Sequence, residues 1–201
     1  MKRLAVGILL FDEVEVLDFA GPFEVFATAR DENGEPLCDV MTISGKAGTV
    51  SARNGLMVTP SATTDVAGPL DILIVPGGYG AEQVEIRNAS LLSWIAAQEK
   101  EVLILASVCT GAFLLAEAGL LAGLPATTHW MDIPRLRSEY PEVHVRENIR
   151  FVDTGHIITS AGISAGIDMS LHILGRLFGT ETAERTARRM EYRLADITPE
   201  K

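Results

Sequence analysis

The feature that most restricts the fold is a set of apolar runs, each of strand length, that do not alternate with polar residues. Leu4-Ala5-Val6-Gly7-Ile8-Leu9-Leu10, Asp71-Ile72-Leu73-Ile74-Val75 and Val102-Leu103-Ile104-Leu105-Ala106 are nearly continuous in character. A strand with one wet face alternates, whereas a strand covered on both faces has no position that must be polar. Helical patterns follow these runs, so the strands are expected to lie side by side in one direction with crossover helices on both faces. The fold class is therefore α/β, a three-layer sandwich around a mostly parallel central sheet.

Local punctuation fills in the order of elements. Gly21-Pro22 precedes Phe23 to Ala29, with Pro22 suited to the first turn of a helix. Val40 to Ile43 is a short strand, and Thr49 to Ser61 a hairpin turning at Arg53-Asn54-Gly55, where Asn-Gly supplies positive φ angles. Ser90 is expected to cap a helix carrying Leu91, Leu92, Trp94 and Ile95, and Gly111 to Leu121 to form the helix after the Val102 run. Then come a short helix near Met131 to Ser138, strands at Ile149 to Val152 and Ile157 to Thr159, and helices from Ser164 to Phe178 and Thr180 to Arg193, divided by Gly179. With no repeat or linker in 201 residues, one domain over residues 1–201 is the expectation.

In an open α/β sheet, ligands bind beyond the carboxyl ends of the strands. Three such turns carry chemistry: Asp18 after the first run, Gly77-Gly78 after the second, and Cys109 after the third. Ser107-Val108-Cys109-Thr110-Gly111 places a thiol where a strand turns into a helix. A nucleophile on such a corner points outward, and the next residue, Thr110, offers its N–H as an oxyanion donor. The helix N-terminus is expected to favour thiolate and lower the Cys109 pKa. The same position also suits an inert, buried cysteine. Asp18, between apolar neighbours, is either a desolvated acid able to exchange protons with the thiol or a carboxylate satisfied by helix N–H groups. Gly77 and Gly78 suit N–H donation to a developing anion or simply a tight turn. His129, twenty residues after Cys109, suits a proton-transfer partner or a histidine of the pocket wall.

Several classes are excluded on the same evidence. The two cysteines, Cys38 and Cys109, form no disulfide framework and no zinc pattern, and the four histidines have no ligand spacing, so no metal and no cofactor is expected. Gly77-Gly78 lacks the dinucleotide-binding glycine pattern. A net charge of −10 argues against a nucleic-acid surface, and no run approaches the ~18 apolar residues of a membrane span. A reducing cytoplasm is the expected compartment.

Taken together, Leu17-Asp18-Phe19-Ala20-Gly21-Pro22, Pro76-Gly77-Gly78, Ser107 to Gly111, Ala126-Thr127-Thr128-His129-Trp130 and Ala161-Gly162-Ile163-Ser164-Ala165-Gly166-Ile167-Asp168 make the chain resemble the DJ-1/PfpI superfamily. The resemblance implies a flavodoxin-like sandwich, a homodimer, a nucleophile at Cys109 and a partner acid at Asp18. Aspartate in L-D-x-x-G-P, with S-V-C-T-G and T-T-H-W, is similar to the isonitrile hydratase branch, which acts on a small-molecule electrophile. The same motifs mark the N-terminal domains of some AraC-type regulators, but no helix-turn-helix region is expected past Ile197 to Lys201. Thr110 stands where protease-like members carry histidine, which turns the expectation from peptide cleavage toward hydration. A glyoxalase or deglycase acting on α-dicarbonyls, with His129 as shuttle, and an oxidant-sensing or ligand-binding domain are the alternatives.

Overall fold

The computed structural model describes residues 2–194; the expectation about Ile197 to Lys201 falls outside them. Strand β1 (Leu4–Leu10) leads into helix α1 (Val16–Thr28), followed by β2 (Cys38–Ser44), the hairpin β3 (Val50–Ser51) and β4 (Met57–Val58), and the short β5 (Ala62–Thr63). Then come β6 (Ile72–Val75), α2 (Tyr79–Gln83), α3 (Ala89–Glu99), β7 (Ile104–Val108) and α4 (Gly111–Glu117). The chain continues through β8 (Pro125–Ala126), α5 (Ile133–Glu139), β9 (His144–Val145), β10 (Phe151–Asp153), β11 (Ile157–Ser160), α6 (Ala165–Phe178) and α7 (Thr180–Arg189).

Seven strands form one sheet in the order β10-β11-β7-β6-β1-β2-β5. All neighbours are parallel except the edge pair β10 and β11, joined by the turn at Asp153-Thr154-Gly155. Every residue of β6, β7 and β11 is buried, as non-alternating runs require. Helices α1, α6 and α7 pack against one another, and α2, α3 and α4 form a second group. The mostly parallel sheet flanked by helices is thus the architecture expected.

Local differences have identifiable causes. Helix α1 starts at Val16, ahead of the expected position, and takes Pro22 into its interior. Its buried residues fall in pairs at Asp18-Phe19, Gly21-Pro22 and Val25-Phe26, a helical spacing that continues upstream of the proline. Helix α3 is capped by Asn88, whose Oδ1 accepts the Leu91 N–H at 3.2 Å, and Ser90 lies inside the helix. The hairpin turns as expected, with Asn54 and Gly55 at φ of 59° and 82°. Helix α2 and the β8–β9 pair carried no sequence signal.

Candidate active site

The neighbours β7, β6 and β1 bring the Cys109, Gly77 and Asp18 turns to one sheet edge. Progression runs outward from β1 through β2 to β5, and then from β6 on the other side of β1 through β7 to β11. The site therefore lies at a reversal of strand order, where the connections diverge and leave a crevice.

Cys109 ends β7 with φ of 56°, a left-handed conformation that a non-glycine residue adopts at a cost of about 1–3 kcal/mol. Its N–H donates to Ser160 O and Ala161 O at 3.2 Å, and Thr128 Oγ1 donates to its carbonyl at 2.8 Å. The corner is tight because the backbones of two turns touch. A Cβ on Gly111 would lie 2.1 Å from Val75 O, and one on Gly77 would lie 2.5 Å from Thr110 N.

Asp18 has no exposed surface. Its Oδ2 accepts the Gly77 N–H at 3.0 Å, whereas Oδ1 has no hydrogen-bond partner. The Cys109 thiol and the Ile163 N–H also face the carboxyl. Burial dominates and raises its pKa from 3.8 to about 7, with Glu15 adding repulsion and the Gly77 N–H opposing. Asp18 is therefore a desolvated acid, one of the two possibilities its sequence position left open. The only other buried side-chain atom without a partner among the described residues is Ser107 Oγ, two positions before the cysteine.

The thiol differs from the expectation. Burial, then the Asp18 charge, pushes its pKa well above the ordinary thiol value, and the N–H groups of Thr110 and Ile163 only partly offset this. The helix N-terminus does supply favourable dipoles, but a thiol 6% exposed beside an acid pays a larger desolvation cost. Cys109 thus rests as a protonated thiol beside an acid that titrates near neutrality. Cys38, at the start of β2, is pushed up to about 12 by burial and then by the charges of Asp39 and Asp71.

The glycine turn also differs in detail. Gly77 N–H is taken by Asp18, and Gly78 N–H donates to Thr110 Oγ1 at 2.9 Å, so neither is left to face a ligand. The N–H groups that face the thiol belong to Thr110 and Ile163. Ile163 was not singled out as a site residue. It holds φ of 53°, unusual for a β-branched side chain, in the segment between β11 and α6.

His129 reaches the same loop. A Cβ on Gly162 would lie 2.1 Å from its Cδ2, so the glycine admits the ring. Its Nδ1 accepts the Met131 N–H at 3.3 Å and lies 3.5 Å from Asp132 Oδ2. Asp168 stands apart from the cysteine: its oxygens accept from Arg150 Nε at 2.7 Å and Tyr192 OH at 2.9 Å. Among the described residues, no group of histidine, cysteine and carboxylate side chains stands close enough to hold a metal ion, and no helix is long and apolar enough to cross a membrane.

Residues 4–176 match the DJ-1/PfpI family. The chain belongs to the DJ-1/PfpI family. Within it, the chain is 34% identical over 192 residues to an isonitrile hydratase of Pseudomonas putida, covering 94% of this chain and 78% of that one. It is 33% identical over 177 residues to the HTH-type transcriptional regulator GbdR of Pseudomonas aeruginosa; that match covers 88% of this chain and 47% of the regulator, so it spans about half of that protein. The crystal structure of a ThiJ/PfpI family protein from Pseudomonas syringae superposes with a TM-score of 0.84 at 27% identity, covering 99% of this chain and 78% of that one. The flavodoxin-like sandwich of this DJ-1/PfpI protein thus agrees in topology and in fold-level comparison.

Proposed function

We propose that this DJ-1/PfpI chain is a cysteine-dependent hydratase that adds water to an isonitrile to give an N-substituted formamide. The observation that carries this reading is the pairing of a protonated thiol with a buried acid near pKa 7 on a strained corner. The resemblance in sequence to an isonitrile hydratase supports it.

Protonated Asp18 delivers a proton to the terminal carbon of R–N≡C as Cys109 sulfur bonds to that carbon. The thiol proton passes to the Asp18 carboxylate, giving a thioimidate R–N=CH–S and restoring the acid. Water then adds to the same carbon while its proton goes to nitrogen through Asp18. The resulting R–NH–CH(OH)–S species expels the thiol to leave R–NH–CHO. Such a cycle needs an acid that is stable both with and without its proton near neutral pH, which a carboxyl at about 7 provides. The N–H groups of Thr110 and Ile163 stabilise the sulfur as it loses its proton.

The test is formamide production from an aryl or alkyl isonitrile by the wild-type protein, with Cys109→Ala and Asp18→Asn as controls. Both variants lose turnover while keeping the fold. An active Cys109→Ala protein refutes the mechanism, and an inactive wild type refutes the assignment.

A sensory role is the second reading, favoured by the similarity to about half the length of a transcription regulator. Selective peroxide oxidation of Cys109 without isonitrile turnover supports that alternative. We also propose that the protein pairs with a second copy. Leu17 and Phe23 on α1, and Leu56 and Met57 on the β3–β4 hairpin, are large apolar side chains left exposed.

A further inference from the structure

The segment Thr127-Thr128-His129 leaves β8 and is fastened to the carboxyl ends of β11 and β7 at successive residues. The Thr127 N–H donates to Thr159 Oγ1 at 2.9 Å, and its hydroxyl donates to Arg146 O at 2.9 Å. Thr128 Oγ1 donates to Cys109 O at 2.8 Å, and the His129 ring packs on Gly162. Both threonines are buried. Of these bonds, the one from Thr128 reaches the main chain of the nucleophile.

That bond sets a direction. Cys109 O and the Thr110 N–H belong to one planar trans peptide, so they point opposite ways. With the carbonyl held toward Thr128, the N–H is turned to the other side, where the Thr110 nitrogen lies against the Gly77 turn: a Cβ on Gly77 would come within 2.5 Å of it. Gly77 is also the residue whose N–H holds Asp18 Oδ2. The Thr110 N–H donates to no oxygen atom among the described residues, which leaves it for charge that develops at the corner. Donation into the carbonyl polarises the amide and strengthens its N–H as a donor.

We propose that Thr128 is a positioning residue for Cys109 that acts through the Cys109–Thr110 peptide. Its hydroxyl fixes the carbonyl, the planar peptide fixes the N–H, and the N–H stabilises negative charge on the Cys109 sulfur. The left-handed backbone of Cys109 is thereby held from both sides, by Ser160 O and Ala161 O on its N–H and by Thr128 on its carbonyl. A strained conformation persists where its surroundings over-determine it. The proposal rests on Cys109 being the reactive group, and not on the identity of its substrate.

Alkylation of Cys109 by iodoacetamide between pH 7 and 9.5, read by peptide mass spectrometry so that Cys38 is scored separately, tests it without any turnover assay. Thr128→Val keeps the shape without the hydroxyl and slows Cys109 about three- to tenfold, the scale of one lost hydrogen bond. The Ala112 N–H still donates to the same carbonyl at 3.3 Å, so the variant leaves no orphaned acceptor. Thr128→Ser keeps the donor and stays within about twofold of wild type. Thr127→Val removes the neighbouring buried hydroxyl, which bonds to Arg146 O, and leaves the Cys109 rate unchanged. A merely structural Thr128 predicts otherwise: the loosened corner exposes the thiol, and Thr128→Val reacts as fast as wild type or faster. That result overturns the proposal, as does equal slowing by Thr128→Val and Thr128→Ser, or by Thr128→Val and Thr127→Val. Should Thr128→Val fail to fold, Thr128→Ala makes the same comparison with a smaller side chain. A wild-type Cys109 that stays unmodified while the urea-unfolded chain reacts overturns the reactive-cysteine reading itself, and the proposal with it.

Discussion

Replacing Asp18 with asparagine removes one titration and leaves the shape of the side chain nearly unchanged. The folded-state pKa is raised from 3.8 to about 7, chiefly by burial. The sign follows from the direction of the shift. Between these two pH values the folded chain keeps a proton that the unfolded chain has released, so stability falls as pH rises. The Asp18 contribution is fully present below about 3.8 and is lost as pH rises through about 7. At about 1.4 kcal/mol per pH unit, the loss is on the order of 4 kcal/mol. Asparagine cannot ionise and still accepts the Gly77 N–H through its side-chain oxygen. Urea unfolding of wild type and Asp18→Asn from pH 4 to pH 9 therefore gives similar stabilities at the acid end. At the alkaline end the variant is the more stable by about 2–4 kcal/mol, or roughly 10 °C in melting temperature. The Cys109 thiol, raised from its ordinary value of 9.0, begins to lower stability only at the alkaline end of this range. A stability difference that is flat across the pH range refutes the claim that Asp18 holds a proton in the folded state near neutrality.

Other sites give sharper structural tests. Gly111→Ala drives a Cβ to 2.1 Å from Val75 O and lowers stability by at least about 3 kcal/mol in denaturant titration. Gly45→Ala, with open space around it, stays within about 0.5 kcal/mol. Arg150→Met leaves the buried Asp168 carboxylate with Tyr192 alone and costs about 2–4 kcal/mol, read as a lowered denaturant midpoint. Phe23→Glu on the exposed side of α1 converts the proposed dimer to monomer in sedimentation; an unchanged mass rules that face out of the interface.

The layered fold was legible because unalternating runs leave few options for covering a strand. The convergence of Asp18, Gly77 and Cys109 was legible as well, conditional on β1, β6 and β7 being neighbours, which the sheet order supplies. What was hidden depends on which way groups point. A carbonyl, hydroxyl or N–H direction is set by backbone angles that residue type alone does not fix. So the Ile163 N–H was overlooked, and Gly78 was credited with a free N–H that Thr110 in fact occupies. The thiol shift runs against the expectation because the helix N-terminus is visible in sequence, while the desolvation that outweighs it comes from tertiary packing.

Elsewhere the fold surrounds its partly or fully buried acids with donors. Asp153 receives His172 Nε2 at 2.6 Å and both Arg176 contacts at 2.8 and 2.9 Å, and with these partners its pKa falls below the usual value despite burial. Asp168 is braced by Arg150 and Tyr192. Asp18 is more deeply buried than Asp168 or the half-buried Asp153, yet it has no cationic partner and its Oδ1 makes no hydrogen bond. Beside it stand the left-handed backbones of Cys109 and Ile163 and the orphaned hydroxyl of Ser107. Each of these costs folding energy: among the described residues both buried side-chain atoms without a partner belong to this corner, as do two of the six left-handed non-glycine residues. A salt bridge to Asp18 would remove most of that cost, but it would also fix the carboxyl in its ionised form and so end the proton exchange with sulfur that the proposed hydratase cycle requires. The corner thus gives up stability at the place where the proposed cycle needs an acid that can both hold and release a proton.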